Sequence, residues 1–129
     1  MSNDLIDISK ALQPYFDGFY EGDVGKLKSI FHPACHLYCA THDPMTDFDM
    51  ETVYGRVANR TIPSERGDLR EDGILTIDQS GPECAFAKVF IALGNQRFTD
   101  YLTLVKVDGR WQVITKTFTY VARPEVEPL

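Results

Sequence analysis

The run Cys84 to Leu93, CAFAKVFIAL, constrains the fold more than any other stretch of the chain. It is rich in aromatic and β-branched residues and is bounded by turn residues, Ser80-Gly81-Pro82-Glu83 before and Gly94-Asn95-Gln96 after, so it reads as a strand. Alternation puts Cys84, Phe86, Lys88, Phe90 and Ala92 on one face and Ala85, Ala87, Val89, Ile91 and Leu93 on the other. Both faces are largely apolar, whereas an antiparallel sheet with one wet face alternates cleanly. The run Phe98 to Val107 behaves alike, with Leu102 and Leu104 on one face and Tyr101, Val105 and Val107 on the other. Asp108-Gly109 is a strong hairpin signal leading into Trp111 to Val121, and Ile74 to Asp78 supplies a strand upstream. These four segments predict an antiparallel meander. Helices are expected to cover one face, and a second copy of the chain is the simplest cover for the other, giving a homodimer through the sheet.

The helices come from the N-terminal half. Leu5, Ile8, Leu12, Phe16 and Phe19 recur at spacings of three and four, one face of a helix that Asn3 or Asp4 caps and Gly22 ends. Pro14 lies inside it and predicts a kink or restart. Asp23 caps a short second helix through Phe31, with Pro33 as its stop, and residues 34–41 read as a strand. Asp49 caps a third helix, Met50 to about Asn59, whose stripe is Met50, Val53, Tyr54 and Val57. Residues 60–70 read as a loop, and the tail RPEVEPL, with two prolines, as loose.

A chain of 129 residues suits one domain, here residues 1–129, and buries about two-thirds of its unfolded surface without staples. The net charge of -6 disfavours binding to a phosphate backbone, so no nucleic-acid partner is expected. No apolar run approaches the roughly 18 residues of a membrane span. Met1 to Lys10 lacks a basic region followed by an apolar one, so no secretory signal is expected. Cysteines 35, 39 and 84 are odd in number, which speaks against a disulfide framework and for reduced thiols in the cytoplasm.

The densest polar cluster is HPACHLYCATHD, which holds His32, His36, His42, Cys35 and Cys39. In a strand, Cys35 and Cys39 are roughly 13 Å apart, too far for two thiolates on one zinc. No metal is therefore expected. Cys35, Leu37 and Cys39 should face inward, with His36, Tyr38 and His42 outward. Asp100 and Lys116 fall adjacent or diagonal on the last hairpin, either as a surface ion pair or as an acid beside a lysine in a pocket. Arg56, Arg60, Arg66 and Arg70 form either a solvated face or an anion site at a pocket mouth. The serines lie in no nucleophile motif, no glycine-rich loop cradles a phosphate, and no cofactor is expected.

The stretches YFDGFYEGDVGKLKSIFHPACHLY, Tyr15 to Tyr38, and RFTDYLTLVKVDGRWQVITKTF, Arg97 to Phe118, resemble the opening helices and closing hairpin of the nuclear transport factor two-like (SnoaL-like) superfamily. They are most similar to its family labelled "putative lumazine-binding". The resemblance implies an α+β, cystatin-like fold: a cone-shaped barrel of curved antiparallel sheet wrapped around N-terminal helices, with a pocket at the open end. Tyr15 matches the tyrosine that donates to the oxyanion in the superfamily's steroid isomerases. Cys39 falls near their carboxylate base and Thr103 roughly at their protonated acid. A thiol is not an equivalent base, which argues against that chemistry. The expected pocket lies between the first helix, the third helix and the concave sheet, lined by Tyr15, Phe19, Cys39, Tyr54, Val57 and Tyr101. It suits a small apolar or aromatic ligand. The alternatives are a cofactor-independent lyase, isomerase or cyclase using the same pocket, or a protein-interaction adaptor with no ligand.

Overall fold

A computed structural model describes residues 4–123. Helix α1, Asp4–Glu21, runs unbroken through Pro14. The carbonyl that Pro14 leaves without a donor belongs to exposed Lys10, where water can reach it, so the helix does not restart. Ile8, Leu12, Tyr15, Phe16 and Phe19 are buried, while Leu5 at the start of the stripe is 54% exposed. Gly22, at φ 65°, ends the helix in the left-handed region. Asp23 accepts from the Lys26 amide and caps α2, Val24–Ile30. The α1–α2 corner is tight because Gly18 has no side chain: a Cβ there would stand 2.7 Å from Leu27 Cδ2.

Strand β1, Phe31–Cys39, begins three residues earlier than the sequence suggests and contains Pro33. Its pairing with the last strand is irregular between Phe31 and His36, and a proline without an N–H is tolerated in such an interruption. A short edge strand follows, β2, Thr46–Asp49, antiparallel to β1. Asp49 then accepts from the Thr52 amide to cap α3, Met50–Asn59, and the loop read over 60–70 contains one helical turn, α4, Pro63–Arg66.

The meander comprises β3, Asp72–Gln79; β4, Cys84–Leu93; β5, Gln96–Val107; and β6, Arg110–Ala122. Its hairpins are antiparallel, and Asp108 at φ 51° with Gly109 at φ 76° forms the last turn. The complete sheet has six strands in the order β2-β1-β6-β5-β4-β3. It is curved and open, and it is mixed rather than wholly antiparallel, because β1 runs parallel to β6. Helix α1 packs on β3, β4 and β6, and α3 on β1 and β2, so the helices lie on one face. That face buries Ala85, Ala87, Val89, Ile91, Leu102, Leu104 and Val113. Of the tail, only Arg123 lies within the described residues.

Candidate functional site

Parity and register bring one acid and one base to the inner face. On β5 the buried positions are Asp100, Leu102 and Leu104. On β6 Lys116 is buried opposite Leu102, and Phe118 lies opposite Asp100, so the two charged residues are diagonal partners. Asp100 is 0% exposed and Lys116 6%. The pair is therefore internal rather than a surface ion pair, with Lys116 Nζ 3.5 Å from Asp100 Oδ2. From α1, the Tyr15 hydroxyl donates to the same Oδ2 at 2.5 Å. Asp100 Oδ1 is buried with no hydrogen-bond partner.

Aromatic faces complete the surroundings of the ammonium. Lys116 Nζ lies 4.7 Å from the centroid of Phe19, 5.0 Å from Phe118 and 5.1 Å from Tyr15, in place of the water that burial removed. Burial, then the Asp100 charge and hydrogen bond, hold the Tyr15 phenol well above its ordinary pKa. Burial lowers the pKa of Lys116 against the opposing pull of Asp100, and the charge of Arg60 lowers it further. Burial alone pushes the Cys35 thiol up to about 12, with Lys116 opposing.

In front of this cluster the cone is open. A cavity of about 300 Å³ is bounded by Phe19 of α1, Leu37 and Cys39 of β1, Phe48 of β2, Val53, Arg56 and Arg60 along α3 and its C-cap, and Phe98, Lys116, Phe118 and Tyr120 of the meander. Arg56 Cζ lies 4.9 Å from the Phe48 centroid and Arg60 Cζ 5.8 Å from that of Phe19. By surface area Arg60 is exposed, yet its guanidinium sits deep enough among protein atoms that burial, with Arg56 second, lowers its pKa. The open cavity accounts for both facts.

Of the residues expected at a pocket, Phe19 and Cys39 line the cavity. Tyr15 lies one layer behind it, in edge contact with Phe19 and bonded to Asp100. Helix α3 is rotated relative to the expected face. It turns Val53 and Arg56 to the cavity, buries Val57 in the core, and leaves Tyr54 half-buried with Lys28 Nζ 5.4 Å from its ring. Tyr101 is on the outer face, 43% exposed and stacked on Phe86 at 5.7 Å. Thr103 also points outward, hydrogen-bonded to Thr115, so the acid beside Tyr15 is Asp100, three residues earlier.

The other clusters separate cleanly. Arg66 pairs with Asp68, and Arg70 with Asp17 and Asp72, while Arg56 and Arg60 reach no carboxylate among the described residues. Cys35 and Cys39 face inward and His36 Nδ1 bonds Asp47 at 2.6 Å. His42, expected outward, lines the cavity mouth with its ring 5.2 Å from Tyr120. Among the described residues, no three His, Cys, Asp or Glu side chains converge in metal-holding geometry. No helix there is long and apolar enough to cross a membrane.

The same architecture recurs in solved structures. A nuclear transport factor two-like protein of unknown function from Shewanella baltica superposes with a TM-score of 0.82 at 22% identity, covering 93% of this chain and 95% of its own. One from Methylobacillus flagellatus gives 0.81 at 22% identity, with 95% of each chain covered. A ketosteroid isomerase-like protein from Erwinia carotovora atroseptica gives 0.73 at 13% identity, covering 95% of this chain and 99% of that one. At such identities the likeness establishes the fold and nothing more specific. No protein of curated function matches the sequence. The family described as "Putative lumazine-binding" matches residues 3–119, nearly the whole chain, and the protein belongs to that family.

Proposed function

We propose that the protein is a small-molecule-binding domain whose ligand enters the cavity between α1, α3 and the inner sheet face. The observation that carries this reading is the space itself. About 300 Å³ remains among Phe19, Phe48, Phe98, Phe118 and Tyr120 at the end of the cone, within the size range of ligand sites. A cone filled at that end would instead favour an adaptor without a ligand. The description of the family names lumazine, a flat bicyclic heteroaromatic, and the aromatic lining suits a flat ring of that kind. A thermal-shift screen of aromatic and heterocyclic metabolites, followed by calorimetry, tests the reading. Hits should lose binding in Thr46→Trp, which fills the rim, without loss of melting temperature. Absence of any stabilising compound would remove the proposal.

Isomerase or lyase chemistry is the second reading, favoured by the buried Tyr15–Asp100–Lys116 cluster behind Phe19. If it holds, Asp100→Asn abolishes turnover of the bound ligand. Retained turnover excludes Asp100 as an acid or base.

The outer sheet face supports assembly as a homodimer. At the centre of the meander, Phe86, Tyr101, Thr103, Thr115, Thr117 and Thr119 share the outer face with Lys88, and Asp78 of β3 stands opposite Phe86. Two copies of a chain with net charge -6 repel, and a patch on which one lysine and one aspartate offset each other is where they can meet. The free cysteines, with Cys84 exposed, favour a reducing compartment and hence the cytoplasm.

A further inference from the structure

We propose, building on the ligand-binding reading, that the ligand is an aromatic carboxylate whose carboxylate is seated on the guanidinium groups of Arg56 and Arg60. Four arginines, Arg66, Arg70, Arg97 and Arg123, meet an Asp or Glu. Arg56, Arg60 and Arg110 meet none among the described residues, although acidic side chains outnumber basic ones by nineteen to thirteen, and of these three Arg56 and Arg60 line the cavity. Arg56 is in the last turn of α3 and Arg60 is its C-cap, close enough that the charge of Arg56 disfavours that of Arg60. They also hang over rings of the cavity wall, Phe48 and Phe19. An anion between them replaces that repulsion with attraction.

The third cation of the wall does not compete for the anion. Lys116 is already balanced by Asp100 at 3.5 Å, so the uncompensated positive charge of the wall is that of Arg56 and Arg60. A ligand seated there lays its ring against Phe98 and Phe118, whose centroids are 5.8 Å apart. A planar carboxylate fits the planar guanidinium fork through two parallel hydrogen bonds.

Calorimetry of the full chain at low ionic strength, with 2-naphthoate, 2-naphthamide and 2-naphthyl phosphate, tests this. Naphthoate should bind at least tenfold more tightly than its amide and more tightly than the phosphate ester. Arg60→Gln should bring the naphthoate-to-amide ratio close to one. Arg60→Lys should restore only part of the margin, since it keeps the charge and loses the fork. Melting temperatures in the same buffer confirm that each variant is folded. Equal binding of the amide overturns the anion assignment while leaving the pocket intact. Tighter binding of the phosphate overturns the choice of carboxylate. An undiminished margin in Arg60→Gln overturns the seat. If none of the three probes binds, the ligand class is wrong, and the screen of neutral heterocycles then decides whether the pocket binds anything.

Discussion

Asp100 has exchanged water for one phenol and one ammonium, and its second oxygen has no partner. Tyr15→Phe should therefore cost about 1–3 kcal/mol in urea unfolding, the range for leaving a buried acceptor unpaired. A loss near zero would mean that the hydroxyl is not satisfying Asp100. Cys35 adds a pH dependence. Its thiol is raised from 9.0 to about 12 by burial, so the folded state prefers the neutral form. The resulting stability is present in full below pH 9 and is lost as pH rises towards 12. The stability gap between wild type and Cys35→Ala, measured by denaturant titration, should narrow across that window, and a constant gap would contradict the assignment. Much of this cluster was legible in the sequence. Tyr15 sits beside the apolar stripe of α1, and Asp100 and Lys116 are recognisable as hairpin neighbours. Their facing direction was not legible, because Leu102, Leu104, Tyr101 and Val105 leave both faces of β5 apolar. Only the packing of α1 shows that Asp100 points in and Thr103 out.

Among the elements, the α1–α2 corner makes the sharpest demand on sequence. Gly18→Ala gains up to about 1 kcal/mol of helix propensity. It also drives a methyl to 2.7 Å from the side chain of Leu27, which is fully buried and has nowhere to retreat. Overpacking costs about 1–3 kcal/mol, so the substitution should lower the melting temperature, and a rise would show that the corner can open. The long, strongly periodic elements were readable: α1, the meander and the Asp49 cap of α3. Strand β2 was hidden because Thr46-Asp47-Phe48-Asp49 carries two carboxylates, residues that strands disfavour and an edge tolerates. With β2 went Phe48, a wall of the cavity. The face of α3 was misread for a different reason. Its apolar stripe is real, but Val57 packs into the core, and the helix offers the cavity the charged side of its surface, where Arg56 and Arg60 lie.

For the molecule as a whole, the outer sheet face is the feature with a solution consequence. Light scattering at micromolar concentration should give the mass of two chains, and Tyr101→Glu should return it to one by placing like charges opposite each other. A monomeric wild type would leave the Phe86–Tyr101 stack without a partner to cover it. The two-sided apolar pattern that suggested a dimer is partly thinned by threonines on β6, a strand whose outward positions the sequence reading did not weigh. The placing of β6 between β1 and β5 also bears on how the chain is made. Among the described residues, the last strand in chain order is the one that joins the first strand to the rest of the sheet. Until Arg110 to Ala122 has emerged, β1 and β2 have no strand link to the meander, and the cavity lacks Lys116, Phe118 and Tyr120. A nascent chain halted before that point holds two sheet fragments with open edges.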